Sequence, residues 1–325
     1  MDTALAMGPG ILPLHASDYL PRFTLGRVFT AWELAPVLAL LTLAAVFLYA
    51  MALNTLHGRG DPWPVGRTLA FAAGIVAFVL ATQSGLAAYD TTLLSAHMAQ
   101  HMILSMVVPL AIALSAPVTL ALRTLPSRPR RWLLKVLHSR VAKVLTFPPL
   151  TLLLYIVSPW ALYFSGWYDA SLRSPFVHEA MHVHLVVVGC LFFWPLIGLD
   201  PVPGKVSYPL RALLMFLSTP FHTVLGLTVM QSASLLAGDW YPSLGLAWAD
   251  PYADQKLAGG ILWAGGEAVA VAMLGALVFQ WMRESEREAR RIDRALDRAE
   301  AQEAASGGAE GSVRSASAHE AETHR

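Results

Sequence analysis

Two histidine pairs at helical spacing mark where this chain could do chemistry. His97-Met98-Ala99-Gln100-His101-Met102 and His178-Glu179-Ala180-Met181-His182-Val183-His184 each set two imidazoles four residues apart. On an α-helix such residues lie about 40° apart around the axis, on one face. Both stretches run on into apolar sequence, where a polar group is costly unless it is paired or binds something. Imidazole with nearby thioether suits copper, whereas magnesium and calcium prefer oxygen ligands. His97, His101, His178 and His182 are therefore the expected metal ligands. Met102 and Met181 are candidates to complete the shell. His184 points to the other side of its helix and is a secondary candidate.

The elements that must position these residues are set by composition. Of 325 residues, 55% are hydrophobic and 14% charged. The mean hydropathy is +0.51. Soluble domains carry about 25% charged residues. The pattern predicts an all-α polytopic membrane protein, in which lipid does the solvation. The single cysteine, Cys190, excludes an intramolecular disulfide and any CxxC metal site. It reads as a small packing residue. No basic start followed by an apolar core marks a cleavable signal in the first 20 residues. The net charge of +1 says little, since it averages over loops of opposite character; no nucleic-acid partner is expected.

Seven apolar runs follow a mixed N-terminal segment, 1–31. They are Trp32–Leu53, Gly66–Ala88, Leu93–Leu122, Val144–Ser165, Val177–Leu199, Leu210–Leu236 and Leu257–Trp281. Each is long enough to cross about 30 Å of hydrocarbon. A bundle of seven transmembrane helices over 32–281 is expected. With the N-terminus outside and the C-terminus inside, 19 of the 23 Lys and Arg fall in inner segments and only Arg22, Arg27, Arg173 and Lys256 outside. That is a strong positive-inside bias. Residues 282–325 read as a charged cytoplasmic helix, carrying the Glu286/Arg290 pair, and then a disordered tail from 304 onward.

This topology puts both histidine pairs in the outer leaflet, at matched depth. Deeper, His222 in the sixth run and Glu267 in the seventh come to nearly one level. A His222–Glu267 pair would neutralise the carboxylate, which no Lys or Arg inside a span can do. Gln83 and Asp90 are further polar residues of low individual weight.

A family resemblance rests on several motifs in order. They are His97-Met-Ala-Gln-His101 with Pro109, Ala116-Pro117-Val118-Thr119-Leu120-Ala121-Leu122-Arg123, and His178-Glu-Ala-Met-His182-Val-His184. Phe192-Phe193-Trp194-Pro195, Asp200-Pro201, Pro220-Phe221-His222, and Asp254-Gln255 with Gly260 and Trp263 complete the set. Over about residues 30–283 the chain resembles the CtaG family of cytochrome c oxidase assembly factors. The resemblance implies a multi-pass protein of the bacterial plasma membrane. It implies a role in maturing a haem–copper oxidase, with copper delivered to the oxidase catalytic subunit, and no enzyme activity. An extracytoplasmic copper donor and a second copy of the chain are further candidate partners.

Two other classes compete. His178-Glu179-Ala180-Met181-His182 also spells HExxH, the zinc-protease signature with a glutamate base. That reading needs a third ligand. The next acidic residue after the motif, Asp200, lies 18 residues on. At helical rise that is about 27 Å away, so an intramembrane protease is disfavoured. A haem-binding membrane cytochrome is the other. Paired imidazoles on each of two helices fit it poorly, because haem ligands come one per helix at facing positions.

Overall fold

The chain is all helix and turn among the described residues. The structure, a computed structural model, describes residues 21–203 and 206–323, with side chains described to 298. Residues 1–20 of the expected N-terminal segment, and Lys205 of the expected inner charges, lie outside the described residues.

Apolar runs become helices where a start signal precedes them. Proline stands in the first turn of α1 (Pro36–Gly58), where its fixed φ fits and its missing N–H costs nothing. α2 runs from Val65 to Tyr89, with a break at Ser84, whose hydroxyl caps the short last piece. α3 covers Leu94–Thr124. It contains a π-helical turn at Ile103–Val107 and a left-handed residue, Ala116, at φ 50° before Pro117. α4 (Pro148–Phe164) and α5 (Pro175–Ile197) again start on proline. Gly198, at φ 63°, ends α5 in the left-handed conformation that favours glycine. α6 is Tyr208–Gln231 and α7 is Pro251–Thr323.

Six of these helices are long and apolar enough to cross a membrane. α4 reaches that length only with Trp167–Arg173, which bends away by 63°. The single fourth span expected over Val144–Ser165 is thus a shorter helix plus a bent companion. Ser165 and Gly166 break it: Ser165 is extended, and its hydroxyl accepts from the Trp167 N–H. The protein is a multi-pass membrane protein of six spans, or seven with the bent pair counted.

Burial sorts the helices. α1 exposes Leu40, Leu41, Leu43 and Phe47, a lipid-facing surface. α3 is the interior helix: Leu94, Ala96, Met98, Gln100, His101 and Leu104 are all buried. Small residues allow the close approaches. A Cβ on Gly189 of α5 would lie 2.3 Å from the Ser105 carbonyl oxygen of α3. A Cβ on Gly226 of α6 would lie 2.8 Å from the Gly259 carbonyl oxygen of α7, and one on Gly259 would lie 2.6 Å from that of Gly226. This is the small-residue packing that replaces the hydrophobic effect between helices in lipid.

The chain divides into two units, ending at Leu274 and Arg325. The second carries the expected charge pattern: Glu286–Arg290 at 3.7 Å and Glu284–Arg287 at 3.6 Å. Its backbone is helical as far as Thr323.

The glycine contacts predict a stability effect. Gly226→Leu forces side-chain atoms into the α7 backbone and should destabilise the protein by about 1–3 kcal/mol. Gly166→Ala, with no atom near its added Cβ, should leave the thermal midpoint in detergent unchanged. Equal midpoints for the parent and Gly226→Leu would disprove this packing.

Candidate metal centre

The site is built where the start of α3 meets the start of α5 and the end of α2. α3 is fixed at its first turn by α7: the Asp254 carboxylate accepts from the Ser95 N–H at 3.1 Å and from the Ser95 hydroxyl. Proline in the first turn starts α5 a few residues before His178. Asp90 follows the last piece of α2 directly and is 3% exposed.

Asp90 draws the polar side chains together. His178 Nε2 lies 2.9 Å from Asp90 Oδ2. Gln100 Nε2 donates to Asp90 Oδ2 at 2.8 Å and to the Ala81 carbonyl at 2.8 Å. Gln100 Oε1 then accepts from His182 Nε2 at 2.9 Å. His182 Nε2 is itself 3.8 Å from Asp90 Oδ2. A ring nitrogen of each histidine and a carboxylate oxygen all lie within 4.8 Å of one another. Glu33, in the segment before α1, feels the same cluster. Its surroundings in the protein, then the Asp90 charge, push the Glu33 carboxyl above its ordinary range, and His178 opposes them.

Of the four expected ligands, two therefore converge, and the third member is a carboxylate. His97 stands beside the cluster, its ring centroid 6.2 Å from that of His178. Its Nε2 is 3.1 Å from the Tyr163 hydroxyl of α4, and His101 Nδ1 is 2.6 Å from the same oxygen. The i,i+4 pair on α3 thus grips one phenol. The Nδ1 atoms of His97 and His182 are buried with no hydrogen-bond partner. Buried polar atoms without partners are unusual and call for an explanation, such as a ligand.

The secondary candidates disperse. Met181 is fully buried beside His182. Met102 packs towards Gly265 of α7. His184 Nε2 is 2.6 Å from the Ser158 hydroxyl, and its ring lies edge-on to Trp167. His222 packs its ring on Tyr155, centroids 5.2 Å apart. The expected His222–Glu267 pair does not form: the Glu267 carboxylate accepts from the Thr223 hydroxyl instead. Matched depth was right, but Thr223 is one residue on, about 100° around the helix, and it faces Glu267.

Asp200, the acidic residue tested as a third ligand, lies at the far end of α3. It accepts from the Val118 and Thr119 N–H groups at 3.2 and 2.6 Å and from Trp194 Nε1 at 2.9 Å. It caps the last piece of α3, where Pro117 and Ala116 break the helix. The absence of a nearby third ligand is therefore not an argument against HExxH chemistry, because Asp90 supplies a carboxylate from another helix. Asp90 was hard to weigh from sequence. One acid after an apolar run has no period, and its only signals were its shared end with both HxxxH pairs and the lack of any nearby Lys or Arg. Gln100, between the α3 histidines, was also missed as a bridging group.

Two imidazoles and a carboxylate converge here, a set of three donors that could hold a first-row transition metal. Copper and zinc accept imidazole, and the carboxylate adds one negative charge.

Comparison with known proteins places the chain. The family model described as cytochrome c oxidase caa3 assembly factor matches residues 47–284. An uncharacterised protein of Mycobacterium bovis is 39% identical over 272 residues, covering 81% of this chain and 41% of that protein. An uncharacterised protein of Mycobacterium leprae is 35% identical over 269 residues, covering 80% and 41%. The chain thus matches about two-fifths of the length of these curated relatives. No solved structure matches it.

Asp90→Asn keeps the size of the side chain and removes the charge. It should weaken divalent metal binding by about tenfold or more, an effect of the size seen when a ligand shell is perturbed. Competition against a chromophoric chelator reads this directly. Undiminished affinity would remove Asp90 from the site.

Proposed function

As a member of the cytochrome c oxidase caa3 assembly factor family, the chain acts, we propose, in the assembly of a haem–copper oxidase by binding copper at the Asp90–His178–His182 cluster and handing it to the oxidase catalytic subunit. The observation that carries the metal assignment is the convergence of two imidazoles of α5 with one buried carboxylate at the end of α2. Family membership supports the oxidase as partner.

The Lys and Arg distribution supports the direction of transfer. Arg59, Arg123 and Arg211 gather at the end of the bundle away from the cluster, where Arg123 pairs with Asp61 at 2.7 Å and Arg211 caps the Leu196 and Ile197 carbonyls. If that end faces the cytoplasm of a bacterial plasma membrane, the cluster lies at the extracytoplasmic end. Copper would be accepted from an extracytoplasmic donor and leave laterally, within the membrane. His97 holds a position next to the cluster from which it can take up the metal in transit.

Asp90 also favours a second reading. HExxH with a carboxylate third ligand is a complete zinc-hydrolase constellation, and Glu179 would be its base. Glu179→Gln separates the two. In the copper reading it preserves metal loading and oxidase activity in cells. Loss of function with full metal occupancy would favour the protease.

Two further outcomes are expected. His182→Ala should lower copper stoichiometry and oxidase activity together while the protein still folds; full copper loading in this variant would sink the assignment. Reporter fusions after Trp281 and within residues 237–256 should report the cytoplasm and the exterior respectively, and the reverse result would remove the extracytoplasmic uptake step.

A further inference from the structure

One turn below His97, α3 opens onto a small chamber between α4, α5 and α6. Its volume is about 10 Å³, and His101, Ser105, Tyr155, Ser158, Gly189 and His222 line it. A space of this size holds one water-sized sphere. The sequence builds it with unusual backbone. The π-helical turn Ile103–Val107 carries Ser105, and such turns are enriched at functional sites. Pro109 cannot donate to the carbonyl four residues back, that of Ser105, and Pro159 cannot donate to that of Tyr155. Ser105 and Tyr155 both line the chamber.

The side chains are as unusual. The hydroxyls of Ser105 and Tyr155 are buried with no hydrogen-bond partner. Tyr155 is 2% exposed and its ring lies against that of His222. His101 is 1% exposed, and only its Nδ1 is committed, to Tyr163. Tyr163 has one hydroxyl proton and two imidazole partners, so one of the two histidines must donate to it. When His101 Nδ1–H is that donor, its Nε2 keeps a free lone pair. This is the outer-shell arrangement that orients a metal-binding imidazole.

We propose that this chamber is a second metal site, distinct from the Asp90 cluster, which binds one soft monovalent cation, Cu(I), through His101 and His222 with the Tyr155 hydroxyl alongside. The charge argument selects the cation. Among the described residues no carboxylate lines the chamber, so a divalent ion would bring two uncompensated charges into a low-dielectric interior, and a monovalent ion only one. Neutral imidazoles are adequate donors for Cu(I). The Asp90 cluster, with its negative charge, is the better host for a divalent ion. The proposal extends the copper reading above but does not require the Asp90 cluster to bind metal.

The test uses the full chain in detergent, with Ag(I) as the monovalent probe and Cu(II) as the divalent one. The parent should bind one Ag(I) that survives in Asp90→Asn. His222→Gln should lose that equivalent and keep its Cu(II). Tyr163→Phe preserves the ring and should weaken Ag(I) by about 10–100-fold, the cost of losing an outer-shell partner. It keeps the test informative if His222→Gln fails to fold. X-ray absorption at the silver edge should report nitrogen neighbours. Ag(I) binding unchanged in both His222→Gln and Tyr163→Phe, or an Ag(I) equivalent that disappears in Asp90→Asn, overturns the proposal. Failure of Cu(II) to depend on Asp90, with Ag(I) still dependent on His222, would sink the Asp90 cluster and leave the chamber standing.

Discussion

A carboxylate buried in a bundle of hydrocarbon-length helices constrains everything around it. Among the described residues Asp90 has no Lys or Arg partner, and an isolated charge in such a place is prohibitive. The chain resolves this with hydrogen bonds from one amide and one imidazole, and with a second imidazole at 3.8 Å. Each of those groups then needs its own support. Gln100 must stand one residue from His101, with its amide reaching both Ala81 and His182. α5 must start early enough to bring His178 level with the end of α2. α3 must be enclosed, as α5 is, because five successive residues from His97 to His101 include three committed polar side chains. The fold can be read as the packing solution to that one buried charge.

The close helix contacts serve the same end. Gly189 lets α5 approach the π-helical turn of α3, and that approach sets the spacing between the two histidine-bearing helices. A larger residue there would separate His182 from Gln100. Gly189 is therefore placed where the polar network needs geometry, while the lipid-facing surface of α1 is built from apolar residues such as Leu40, Leu41, Leu43 and Phe47.

Much of this was legible in the amino-acid sequence. The fifth run, expected at Val177–Leu199, is a helix at Pro175–Ile197, and the third, expected at Leu93–Leu122, covers Leu94–Thr124. Apolar length and proline position suffice for that, since lipid leaves the backbone no other option. Pairing within a helix was also legible: His97 and His101 do share a face, as spacing requires. What that face meets was not. Tyr163 lies on another helix, and nothing in a HxxxH spacing reveals a phenol between the two rings. Depth alone could not separate His222 from Thr223 as the partner of Glu267, because rotation about the helix axis decides contact and run boundaries do not fix rotation. Asp90 was discounted for the same reason: its weight comes entirely from residues 10 and 88 positions away.

The way the cluster satisfies itself bears on what it can do with a metal. A structural zinc site stores much of its folding energy in metal bonds, and its ligands have nowhere to go when the ion leaves. If the Asp90 cluster binds metal as proposed, the donors it would use also hydrogen-bond one another: His178 with Asp90, and His182 with Gln100, which in turn holds Asp90. A bound ion would have to compete with those hydrogen bonds, which lowers its net affinity and favours exchange, the property a carrier needs and a structural site does not. Gln100 joins the carboxylate to His182, so its side chain would set that balance.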